Sequence, residues 1–131
     1  MSRDIKFRGK RINDNEWTYG GLVIESNGTA WISKHFHKGE WEQVELATVG
    51  QSTGLVEDSV EGCAEAKTIY EDDIVLIVDV GEQGTSRVTF EDGRWSVDYW
   101  GEKTELSYFV EEARVFIIGN VHENPELLES E

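Results

Sequence analysis

The sequence predicts an all-β protein with short helical turns, built as two packed small β subdomains, 1–55 and 56–131. Three observations lead there. Short runs alternate apolar and polar residues with the period-two rhythm of half-buried strands. Glycine-containing turns separate those runs at short intervals, as in small barrels or a sandwich. Five Trp, five Phe and four Tyr supply bulky core material, which argues against disorder despite a net charge of −15.

In the first subdomain, "IKFRG" sets Ile5 and Phe7 on one strand face and Lys6 and Arg8 on the other. "INDNEW" is a turn, since Asn13, Asp14 and Asn15 tolerate left-handed backbone. "WTYGGLVIE" puts Trp17 and Tyr19 on a shared face, and Gly20-Gly21 mark a bulge or a close backbone approach. "SNGT" over 26–29 is a hairpin signal, with Asn27-Gly28 expected in a type I′ turn. "AWISKHF" returns as its partner strand. From Gly50 to Lys67 the residues are small, polar and acidic, and a connecting loop is expected.

In the second subdomain, Ile74–Asp79 is a β-branched run of the kind buried strands use. "GEQG" is expected to turn the chain. "TSRVTFEDGRWSVDY" forms two alternating strands around Asp92-Gly93, a tight primed hairpin. Trp95, Val97 and Tyr99 share one face and are core candidates. Ser96, Asp98 and Trp100 share the other, so Trp100 is expected at the surface or an interface. "SYFVEEA" reads as one helical turn or an irregular edge, and "RVFIIGNV" as the last strand. "ENPELLESE" reads as a short helix with Asn124 at its N-cap and Pro125 in its first turn.

Six phrases occur in order: "IKFRGK", "EWTYGGL", "VGQSTGL", "IYEDDIV", "VTFEDGRW" and "IGNVHENPELL". Together they resemble the YopX family of bacteriophage and prophage proteins, over almost the whole chain. The resemblance implies a β-rich fold whose C-terminal half is an SH3-type barrel, and a phage or prophage origin. It brings no established activity and no catalytic residues. The family pattern carries Gly where this chain has Asp72; if that turn needs a positive φ, Asp bears the cost better than most residues.

Charge and composition exclude several classes. The basic stripe Lys6, Arg8, Lys10 and Arg11 points towards phosphates, but the net charge of −15 opposes nucleic acid and anionic membranes. Those bases are instead expected to pair with acids of the second half. The lone Cys63 fits a reducing cytosol, and its neighbours Glu61 and Glu65 blunt a thiol nucleophile. The charged N-terminus lacks the apolar stretch of a secretory signal, and no run is long enough to span a bilayer, so a cytoplasmic location in the bacterial host is expected. His35 and His37 share a strand face near Glu40 and Glu42, and His122 could join them only by folding. That is too few ligands to carry a zinc site, and no metal or cofactor is expected. Glu71, Asp72 and Asp73 read as a turn before a buried strand, and no EF-hand spacing is present. The sequence therefore points to a non-enzymatic module that binds an unknown protein partner, with self-association a possibility. Trp100, Trp41, Trp31 and Tyr108 are the interface candidates, since Trp and Tyr are favoured anchors. The alternative is an acidic regulator, or DNA mimic, acting on a protein that handles nucleic acid.

Overall fold

The computed structural model describes residues 6–34, 40–58 and 66–129. The chain divides into two compact units, Met1–Ser52 and Thr53–Glu131. The strand pairs within both are antiparallel, and several are joined by hairpins.

In the first unit, β1 (Phe7–Lys10) pairs with β2 (Trp17–Ile24), β2 with β3 (Ala30–Ser33), and β3 with β4 (Glu42–Val44). The start of β5 (Gly50–Val56) runs along the other side of β1. Ala30, Ile32 and Val44 form the buried centre, with Phe7, Leu22 and Val49 packed around them. The β1–β2 turn uses Asn15 at φ +60, and the Asp14 carboxylate accepts the Glu16 N–H at 3.0 Å. Gly20 is required by close approach: a Cβ there would lie 2.1 Å from the Ser33 carbonyl oxygen. The β2–β3 loop departs from the type I′ expectation. Gly28 alone has a positive φ, +93, and its N–H reaches the Glu25 carbonyl at 2.8 Å. Asn27 instead uses its side chain to accept the Thr29 N–H at 2.9 Å. The loop is thus longer than two residues and closes through a left-handed glycine.

The Gly50–Lys67 stretch is not a loop throughout, since β5 occupies Gly50–Val56. Its fully buried positions, Gly50 and Thr53, are small or polar, while Leu55 packs half-buried on the core, so the strand shows little apolar alternation. Thr53 donates its hydroxyl to the Ile69 carbonyl at 2.8 Å, and Gly54 breaks the regular backbone at φ +79. Residues 59–65, with Cys63, lie outside the described residues, as do His35, Phe36 and His37.

In the second unit, β6 (Thr68–Tyr70) precedes two three-stranded sheets. One has the order β12–β7–β8, with β7 (Asp73–Asp79) between β8 (Glu82–Arg87) and β12 (Arg114–Asn120). The other has the order β11–β10–β9, with β10 (Arg94–Tyr99) between β9 (Thr89–Glu91) and β11 (Glu102–Glu105). The β7–β8 turn lies at Val80-Gly81, one step earlier than "GEQG", and Glu82 already pairs with Asp79. The hairpin at Asp92-Gly93 has φ +54 and +79, as a type I′ turn demands. Ser107–Glu112 of "SYFVEEA" lie in helix α1 (Leu106–Glu112), and Ala113 is its extended C-cap. The terminal helix α2 covers Glu126–Glu129; the Asn124 side chain turns back to accept the Asn120 N–H at 3.3 Å. None of the sheets closes on itself, so the SH3-type barrel is not confirmed. The chain leaves one sheet and enters the other at Val88, whose backbone bonds to Asp72 and Asp73 instead of extending a ladder.

The core of this unit joins Ile69, Val75, Ile77, Val88, Val97, Leu106, Phe109 and Val115. Trp95 and Tyr99 pack against it from β10. Trp95 also meets its cross-strand partner Phe90 edge-on at 4.8 Å. The Tyr99 hydroxyl is buried and finds no hydrogen-bond partner among the described residues. Along the edge strand β12, Asp58 accepts the Val115 N–H at 2.6 Å and gives its own N–H to the Val115 carbonyl at 2.8 Å. Glu57 accepts the Ile117 N–H at 2.9 Å.

Two stability outcomes follow from these bonds. Asp58→Ala strips a charged acceptor from a backbone N–H and should cost about 2 kcal/mol by urea denaturation, with Asp58→Asn intermediate. Tyr99→Phe removes a hydroxyl whose burial is uncompensated and should raise stability by about 1 kcal/mol in the same assay.

Candidate functional site

The β10–β11 hairpin turns through Trp100 and Gly101 alone, because Tyr99 pairs directly with Glu102. Both turn residues sit in the left-handed region, at φ +54 and +86. Asn, Asp and Gly favour that geometry; a bulky aromatic there is an outlier. Trp100 is 68% exposed, so core burial does not explain it. Its ring stands edge-on to Tyr99 at 6.2 Å, and Tyr99 in turn packs on Phe109 at 5.0 Å. Gly84 makes room: a Cβ there would lie 3.2 Å from the Tyr99 ring and 3.7 Å from the Trp100 indole nitrogen.

Trp100 is one wall of a cavity of about 520 Å³ that Thr85, Arg87, Glu91, Asp98 and Lys103 also line. The Ser86 hydroxyl accepts the Asp98 N–H at 2.8 Å and fixes one side of it. Arg87 bridges to Asp72 at 2.9 Å, and Lys103 to Glu91 at 3.1 Å. The hydrogen bond from Lys103, helped by one from Thr89, holds the Glu91 carboxyl below its ordinary pKa. Tyr108, on α1, is also exposed and lies edge-on to Phe109 at 5.3 Å, but it does not line this cavity.

Trp31 and Trp41 come together in the first unit. With Val23 and Glu25 they line a second cavity of about 440 Å³. Val23 and Trp31 are direct cross-strand partners, and the Trp31 indole N–H donates to Glu25 Oε1 at 3.1 Å. Trp41 also borders a smaller cavity of about 250 Å³ beside Ile12 and Glu42.

The basic stripe is placed differently from expectation. Arg8 is buried, while Phe7 on the supposed inner face is only half-buried. The Arg8 guanidinium stacks 4.6 Å over the Trp17 ring, and the Lys10 ammonium lies 5.6 Å from it. Arg11 makes its ion pairs with Asp14 and Glu42, both 2.7 Å away in its own unit and not in the second half. A guanidinium desolvates more readily than an ammonium and stacks flat on an indole, which accounts for Arg8.

The acidic trio serves the turn before β7. Asp72 has φ +71, so the position does need the left-handed backbone that Gly supplies freely. Its carboxylate meets Arg87, and the His122 imidazole lies 3.7 Å away. The buried Asp73 carboxylate accepts the Tyr70 N–H at 2.7 Å. Among the described residues no three His, Cys, Asp or Glu side chains gather as metal ligands. No helix among them is long and apolar enough to cross a membrane. Sequence reasoning placed Trp100 at the surface by strand parity but missed its turn. The signal was present in "DYWGEK", where Gly101 follows an alternating strand and a new one begins at once.

The family model described as YopX protein matches residues 6–129. The crystal structure of protein yopX from Bacillus subtilis superposes with a TM-score of 0.60 at 25% identity, covering 96% of this chain and 97% of that one. No curated protein matches the chain.

Lys103→Met should let the Glu91 pKa rise towards its ordinary value in an NMR titration. The sign is fixed by the depressed folded value: the contribution is present above the unfolded pKa and lost as pH falls through the folded one.

Proposed function

This chain belongs to the YopX family, and on that premise we propose that it acts as a non-enzymatic protein-binding module of phage or prophage origin, working in the host cytoplasm. Trp100 carries the reading. A solvent-exposed indole held in a left-handed turn is disfavoured twice, by backbone strain and by exposed apolar surface. A residue placed against both is best explained by a contact made outside the chain, and Trp is a favoured interface anchor. The cavity beside it supplies ion-paired side chains for a polar rim.

A second reading, an acidic regulator of a nucleic-acid-handling protein, is favoured by where the charge lies. Residues 1–52 hold seven Lys and Arg against seven Asp and Glu, whereas residues 53–131 hold five against twenty. Under that reading DNA competes for the partner and high salt weakens the complex.

Trp100→Asn separates folding from binding. It should raise stability by about 1 kcal/mol in denaturant, because Asn adopts the turn more easily. Captured partner, identified by mass spectrometry and measured by titration, should bind at least about tenfold more weakly, as loss of an interface anchor implies. Undiminished affinity in the variant rejects Trp100 as the anchor.

A further inference from the structure

We propose that the cavity beside Trp100 receives an arginine side chain from a basic segment of the partner protein, with the indole as its stacking face and the Asp98 carboxylate as its counter-charge. The inference rests on the protein-binding reading above and names the group that the site recognises.

The ion pairs of the cavity leave one acid over. Two cations, Arg87 and Lys103, and two carboxylates, Glu91 and Asp98, line it. Arg87 is already joined to Asp72 at 2.9 Å. Lys103 stands directly opposite Asp98 in the β10–β11 register and is its natural cross-strand partner. Its ammonium crosses β10 instead and meets Glu91 on β9 at 3.1 Å. Ser86 fixes the Asp98 backbone N–H, while the Asp98 carboxylate makes no hydrogen bond or ion pair among the described residues. An ionised carboxylate is an acceptor only, and this one faces a cavity with its acceptor sites unused.

Trp100 supplies the second element. Its ring leans over β8, where a Cβ on Gly84 would lie 3.7 Å from the indole nitrogen, and the rest of the ring stays open to solvent. An indole face attracts cations through its quadrupole, and Trp does so most strongly. A guanidinium satisfies both elements at once, since it stacks flat on indole and its N–H fork matches a carboxylate. An ammonium meets a carboxylate only as a point charge and has no flat face to stack. A neutral ring would gain nothing from Asp98. A stacking anion such as a nucleotide would have to part Arg87 and Lys103 from their acids, and it would enter a unit with five Lys and Arg against twenty Asp and Glu. The same surplus favours a basic segment.

The test uses the full chain and a pentapeptide of glycines around one arginine, capped at both ends, with the citrulline peptide as its neutral isostere. The readout is the indole signals of Trp95 and Trp100 in nitrogen–proton NMR spectra, assigned with Trp95→Phe and Trp100→Phe. The arginine peptide should move the Trp100 signal saturably at millimolar concentration and leave that of Trp95 in place. The citrulline peptide on the native chain, and the arginine peptide on Asp98→Asn, should each bind roughly threefold or more weakly, as loss of an exposed cation–π contact or ion pair implies. An unchanged Trp95 signal in Asp98→Asn shows that the fold is kept. No shift at Trp100, or equal binding by citrulline or by the Asp98 variant, would overturn the proposal. Adenosine monophosphate serves as the anionic stacking probe; tighter binding of it than of the arginine peptide would also overturn the proposal and give the cavity to Arg87 and Lys103. The two readings fail separately. If Trp100→Asn weakens the captured partner while the Trp100 signal ignores the arginine peptide, the anchor stands and the arginine site is rejected. If the arginine peptide moves Trp100 while Trp100→Asn leaves partner affinity intact, the anchor is rejected.

Discussion

The second unit depends on the burial of one backbone corner. Val88 is wholly inaccessible, yet it lies between β8 and β9, where the chain passes from one sheet to the other. A buried residue between strands must find partners for both its amide and its carbonyl. Val88 does so at the mouth of β7: its N–H reaches the Asp73 carbonyl and its carbonyl accepts the Asp72 N–H. That arrangement asks for a left-handed residue at Asp72, and it brings the Asp72 carboxylate to Arg87, the last residue of β8. The two sheets of this unit, the core between them and the cavity walls on β8 and β9 all follow from where that corner is fastened.

What was legible in the sequence was what is decided locally. Asp92-Gly93 names its own turn because two adjacent left-handed residues are needed and those two tolerate it. The left-handed backbone at Asp72 was suggested by the family resemblance, which carries Gly there, and not by local turn chemistry. The buried strand β7 announced itself through side-chain chemistry, since β-branched residues on both faces have few other uses. Strand parity separated Trp95 and Tyr99, which pack inward, from Trp100, which does not. The strand β5 was hidden because its fully buried positions are Gly50 and Thr53, and Thr53 earns burial by a hydroxyl bond to Ile69. Contacts across long sequence separations were also hidden. Nothing local says that Trp31 will meet Trp41, that Arg8 will lie on Trp17, or that Gly84 will clear space for Tyr99. The barrel implied by kinship is a statement about sheet closure, and a bend such as Val88 can fold two sheets together without closing either.

The candidate surfaces divide the labour between two chemistries. In the neutral first unit, among the described residues, the indoles of Trp31 and Trp41 share a cavity with one carboxylate, Glu25. In the acidic second unit the exposed indole stands beside paired charges, in a unit with a surplus of fifteen negative charges. Not all of that surplus is a surface property. Asp73 holds a backbone amide in the interior, and Glu57 and Asp58 hold two more, so part of the acidity is structural.

The last of these bonds bears on how the outer strand of a sheet is closed to further pairing. A sheet that ends on β12 presents a row of amides that a neighbouring copy's strand would match, and growth of that kind feeds on each newly exposed border. Here two amides of the row are spoken for by oxygen atoms on side chains, not by another backbone. A carboxylate takes hydrogen bonds and hands none onward, so the row ends there instead of templating the next strand.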